Sequence, residues 1–112
     1  VGSRAIPAGY QIMQGAHPAL TVNEDLPDVL AGLWLNHKIH SVLIEAGSAL
    51  STSAWANGLV DEVFWFQAPV IMGTGIPALA DIGVSAMVEA RRFTELDVNR
   101  VGLDLLIHFT TR

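Results

Sequence analysis

Apolar residues recur along the chain with two distinct periods, and the switches between them mark out its elements. Leu26, Val29, Leu30 and Leu33 fall at the i, i+3, i+4, i+7 spacing of one helical face. Asp25 is a natural N-cap for that helix, and Pro27 suits its first turn, where a missing N–H leaves no bond unmade. The pattern fades near residues 36–38, where Lys38 complements the negative end of the helix dipole. Residues 1–22 show no such period. Gly2, Pro7, Gly9, Gly15 and Pro18 break them into loops, with short extended pieces at 10–13 and 19–22.

Beyond the helix the pattern changes. Residues 41–45 read SVLIE, and the unbroken run Val42, Leu43, Ile44 predicts a strand covered on both faces by helices. Ala46 and Gly47 then turn the chain into a second helix over 48–57, with Ser48 as cap and Gly58 as stop. Ala49, Leu50, Ala54 and the Trp55 ring are its expected buried side. Residues 60–68 (VDEVFWFQA) are aromatic and β-branched and predict a strand, again without clean alternation. A long Gly/Pro loop follows over 69–83. The tail alternates as a hairpin, with strands at 93–99 and 103–110 and a turn at 99–102. This order predicts an α/β fold with a mixed sheet flanked by helices and a C-terminal antiparallel hairpin.

Composition narrows the classes. The chain has 112 residues, 51% apolar, enough for one domain with a real core. Its net charge of −5, and the lack of any basic cluster beyond Arg91 and Arg92, argue against a nucleic-acid partner. No apolar run reaches the roughly 18–20 residues a membrane span needs. The absence of cysteine excludes disulfides and thiolate metal sites and fits a cytoplasmic protein. The opening VGSRAIP carries no signal-peptide pattern. It reads as the end of a strand entering a turn, so Val1 is expected to lie inside a longer domain.

The most informative place for chemistry is Glu45-Ala46-Gly47-Ser48, between a strand end and a helix start. Open α/β sheets bind ligands there, because the helix N-terminus offers free N–H groups and a partial positive charge. Gly47 would let a ligand approach the backbone, and the Glu45 carboxylate would reach a ligand hydroxyl or amine. The plainer reading is an ordinary tight turn beside a solvated acid. Gly73-Thr74-Gly75 ends a second strand and would cradle a phosphate or ring with backbone amides, although a lone G-x-G also describes a flexible connection.

Other candidates are weaker. His37 and His40 straddle a helix end with no third ligand nearby, so no metal site is expected. Ser48 lacks the G-x-S-x-G elbow of a serine nucleophile. Asp61 and Glu62 are adjacent in a strand and point to opposite faces. Trp34, Trp55 and Trp65 read as core or interface residues, and His108 as a cross-strand packing residue. Arg91 and Arg92 would suit a phosphate, with a solvated strand start as the plainer reading.

Taken in order, HSVLIEAGSAL, WANGLVDEVFWFQAPVIMGTG and VGLDLLIHF resemble the C-terminal reductase domain of the bifunctional riboflavin-biosynthesis deaminase/reductase, and the stand-alone pyrimidine reductases related to it. The family's E-A-G is Glu45-Ala46-Gly47. Its G-L-V-D-E is residues 58–62, its A-P-x-x-x-G runs from Ala68 and Pro69 to Gly73, and its G-x-D is Gly102-Leu103-Asp104. Gly2-Ser3-Arg4 with Pro7 resembles the family's segment after an earlier strand.

The resemblance implies a dihydrofolate-reductase-like fold and a cytoplasmic enzyme. It implies NADPH as hydride donor and reduction of a ribosylamino-pyrimidine phosphate to its ribitylamino form. It places Ala46, Gly47, Ser48 and Gly73 at the cofactor, Glu45 at the substrate, and the catalytic residues upstream of Val1. Residues 1–112 are then the C-terminal part of a single reductase domain, pairing as a homodimer and expected to be inactive alone. Two other readings stand beside it: a non-catalytic dimerisation module, and a reductase of similar fold acting on another heterocycle.

Overall fold

The stripe Leu26, Val29, Leu30, Leu33 forms a helix in the computed structural model, which describes residues 15, 22 and 24–111. Helix α1 runs Leu26–His37. Leu26 and Val29 are buried and Leu30 and Leu33 half-buried, as the spacing requires. Asp25 takes the N-cap position through its backbone, its carbonyl accepting from the Val29 N–H at 3.0 Å, while its side chain makes no cap bond. The helix ends where Lys38 adopts a left-handed conformation, φ 57°. That turn lets the Lys38 N–H donate to the Trp34 carbonyl at 3.0 Å and the Ile39 N–H to that of Leu33 at 3.2 Å, satisfying the last carbonyls. The expected extended pieces at 10–13 and 19–21, the Gly2–Arg4 segment and His17 lie outside the described residues.

The chain divides into two compact units, residues 1–44 and 45–112. In the first, the expected strand over 41–45 does not form. Among the described residues nothing pairs with it, and Leu43 is 74% exposed. A strand needs a neighbour to take its N–H and C=O groups, so an apolar run without one stays irregular.

The second unit opens with helix α2, Ser48–Ala56. It begins one residue later than the cap assignment implied: Gly47 is the N-cap and Ser48 the first helical residue. Ala54 is buried to 2% exposure and Leu50 and Trp55 are half-buried, whereas Ala49 is exposed. Gly58 follows at φ 65° and stops the helix as expected.

Strands β1 (Glu62–Gln67), β2 (Glu95–Val101) and β3 (Asp104–Thr110) form a sheet of order β1-β3-β2, antiparallel throughout. The β2–β3 turn is the two residues Gly102 and Leu103, later and tighter than the 99–102 expectation. Gly102 has φ 63°, a value a two-residue hairpin asks of its first loop residue and glycine adopts without strain.

Register sets the two faces. Val63 and Leu96 stand opposite Phe109, and Trp65 and Val98 opposite Ile107, which puts them on one face. Phe64 and Asp97 stand opposite His108 on the other. The first face carries the core. Phe109 is buried, Phe93 lies against it with ring centroids 3.7 Å apart, and Trp55 of α2 meets Phe93 edge-on at 6.2 Å. The same chain of rings therefore packs α2 onto the sheet. Among the described residues β1 has a strand neighbour on one side only, and its Phe66 is 61% exposed. On the second face the His108 ring stacks on Phe64, 4.5 Å apart and nearly parallel, with its Nε2 3.2 Å from Glu62 Oε2. That is the cross-strand packing role expected of His108.

Candidate functional site

The turn at residues 45–48 is built by the start of α2. Gly47 is extended (φ −71°, ψ 173°), and its carbonyl accepts the first helical bond, from the Ser51 N–H at 3.2 Å. The amides of residues 48–50 therefore precede the helical ladder, and no side chain caps them. No acidic residue occupies the first turn, which leaves the positive end of the helix dipole without a built-in counter-charge. Where a Gly47 side chain would stand there is open space, with no atom within 4 Å. Glu45, Ala46 and Gly47 are exposed.

Ser48 is the unusual member. Its Oγ is buried and has no hydrogen-bond partner among the described residues. A buried hydroxyl without a partner loses the bonds it had with water, which costs about 1–3 kcal/mol. Its neighbours are satisfied. The Ser51 hydroxyl donates to the Ala46 carbonyl at 3.3 Å, and the Thr52 hydroxyl to the Ser48 carbonyl at 2.6 Å.

Thr52 also fixes the long loop. Its Oγ1 accepts from the Ala80 N–H at 2.8 Å, so the segment after β1 is tied back to α2. Sequence reading missed this link, because a threonine in mid-helix carries no local signal of what its second lone pair accepts. Gly73 lies in that loop, exposed, with open space where a side chain would stand. Both glycines thus offer open backbone. No hydrogen bond among the described residues joins Gly73 to residues 45–48. Further along, the Gly83 N–H donates to Asp81 Oδ1 at 2.7 Å. Glu89 Oε2 accepts from the Ser85 N–H and hydroxyl and the Ala86 N–H, at 3.1–3.3 Å.

The remaining candidates fall into structural roles. His40 packs edge-on against Trp34, ring centroids 4.6 Å apart. Arg91 and Arg92 line a cavity at the other end of α2 with Trp55. Among the described residues no helix is long and apolar enough to cross a membrane.

The order and spacing of these pieces match a known family. The model of the RibD C-terminal domain covers residues 5–107. The chain belongs to that family. Curated RibD relatives titled "Riboflavin biosynthesis protein RibD" agree. The protein from Mycobacterium tuberculosis is 28% identical over 113 aligned positions, 100% of this chain and 32% of its own length. Those from Aquifex aeolicus and Escherichia coli are 32% and 31% identical over 72 positions, each covering 20% of the relative. The chain thus spans about a third or less of the relatives it matches. Acinetobacter baumannii RibD superposes with a TM-score of 0.71 at 30% identity, over 83% of this chain and 26% of that one. The α/β architecture with its antiparallel sheet is that of RibD and fits the dihydrofolate-reductase-like class read from the sequence.

Proposed function

We propose that residues 1–112 are the C-terminal part of one reductase domain acting in riboflavin biosynthesis, and that the start of α2 holds the phosphate-bearing part of NADPH. The reaction is reduction of a ribosylamino-pyrimidine phosphate to its ribitylamino form. The observation that carries the reading is the match to the RibD C-terminal domain over residues 5–107, with the open, uncapped amides of residues 48–50 inside it.

The residues present fit such a group. Gly47 leaves room for close approach, the helix end supplies partial positive charge, and the orphaned Ser48 hydroxyl lacks a partner that a bound ligand would provide. Bound NADPH supplies a hydride. The chain binds and orients: residues 46–48 hold phosphate oxygens, Gly73 leaves open backbone on the loop tied to α2, and Glu45 takes a substrate hydroxyl or amine.

Titration of the 15N-labelled chain with NADPH tests the cofactor side. Saturable shifts at the amides of residues 48–50 support the reading, and Gly47→Val should weaken binding about tenfold while the fold stays intact, since φ is negative and the space is open. Binding that leaves those amides unmoved overturns it. In the complete enzyme, Glu45→Gln should lower kcat/KM with little loss of stability.

A second reading, an assembly module, is favoured by the sheet's own surface. Phe64 and Phe66 are both exposed on the face opposite the core. Pairing with a second copy through this sheet is compatible with the reductase reading, and sedimentation velocity decides it.

A further inference from the structure

Arg91 and Arg92 line an open cavity of about 180 Å3 with Trp55, Gly58, Val60 and Thr111. Three of the neutral donors around it are already bonded within the chain. The Gly58 N–H donates to the Trp55 carbonyl at 3.1 Å, the Thr111 N–H to that of Asp61 at 2.9 Å, and the Thr111 hydroxyl to the Val60 carbonyl. Beside the Trp55 indole the cavity carries two arginines, neither in an ion pair or hydrogen bond among the described residues. The chain carries 11 acids against 6 lysines and arginines. Two adjacent cations without an acid partner among the described residues, on a concave surface walled by an indole, concentrate positive potential where an anion fits.

We infer that this cavity binds a phosphate dianion or a phosphate monoester, at a site separate from the turn at residues 45–48. A guanidinium fork matches phosphate oxygens in geometry and keeps its charge at every physiological pH. The Trp55 ring gives the esterified group an apolar wall. The site needs no residue from the first unit of the chain.

The test is titration of the 15N-labelled chain with inorganic phosphate at constant ionic strength, with acetate as the monoanion control. Saturable shifts at the Trp55 indole and the Thr111 amide are expected, with half-saturation in the millimolar range. Arg91→Gln and Arg92→Gln should each weaken binding about tenfold and the double variant abolish it. The Phe93 and Phe109 ring signals should stay in place, showing an intact fold. Shifts that grow linearly without saturation, acetate matching phosphate, or unchanged binding by the double variant each overturn the site. So does a phosphate response confined to the amides of residues 48–50. Failure of NADPH to bind at the turn leaves this outcome untouched, so the two readings fail separately.

Discussion

At the scale of single residues, two side chains have measurable consequences. Ser48 places an unpartnered hydroxyl in a buried position, a destabilising arrangement that a ligand would relieve. Ser48→Ala should therefore raise the stability of the free chain by up to about 1 kcal/mol. The same change should weaken NADPH. Chemical denaturation and the NADPH titration check the two halves, and a destabilised variant would show that the hydroxyl is satisfied in solution. Glu89 is the second. The Ser85 backbone N–H, then the Ser85 hydroxyl, then the Ala86 N–H hold its carboxyl below the ordinary value. A depressed carboxyl stabilises the turn at Met87–Glu89 above its unfolded pKa, and that contribution is lost as pH falls through the folded pKa. A 13C titration of the Glu89 carboxyl should give a midpoint below that of a free glutamate, and Ser85→Ala should raise it.

At the scale of elements, the hairpin and the ring cluster carry the second unit. Gly102 sits at positive φ in a two-residue turn, so Gly102→Val should cost about 1–2 kcal/mol and loosen the register of β2 on β3. Hydrogen exchange at Val98 and Ile107 reads this directly. Phe109 is buried against Phe93, and Phe109→Ala should cost about 3–5 kcal/mol, seen as a large drop in the denaturation midpoint. These elements were the most legible parts of the sequence. The stripe Leu26, Val29, Leu30, Leu33 has a single period, and Phe93 to Asn99 alternates. Residues 41–45 misled for a physical reason: apolar content gives a segment its wish for cover, but only a hydrogen-bonded neighbour makes it a strand. Val63 to Phe66 misled similarly. Aromatic on both faces, they pair on one side only among the described residues, and Phe64 and Phe66 are exposed.

At the scale of the whole molecule, charge and apolar surface oppose each other. Two copies of a chain with net charge −5 repel, while a sheet face carrying exposed Phe64 and Phe66 attracts. Self-association through the sheet should therefore strengthen with salt, because screening removes the repulsion and leaves the apolar term. Sedimentation velocity at low and high NaCl checks this, and a monomer at micromolar concentration in both would remove the assembly reading. Phe66→Glu, at an exposed position of β1, should weaken the association without unfolding the sheet.

The sequence by itself determined the α/β class, the helix over 26–37, the closing hairpin and the family motifs around Glu45-Ala46-Gly47 and Gly58 to Glu62. Each rests on local chemistry: period, turn residue or short-range spacing. Tertiary structure decided the rest. It moved the cap of α2 from Ser48 to Gly47, whose carbonyl accepts the first helical bond. It tied the 69–83 loop to α2 through Thr52 and Ala80, 28 positions apart. It set Arg91 and Arg92 beside Trp55 and Thr111 in one cavity. Such pairings depend on which backbone groups already have partners, and no local pattern in a chain records that.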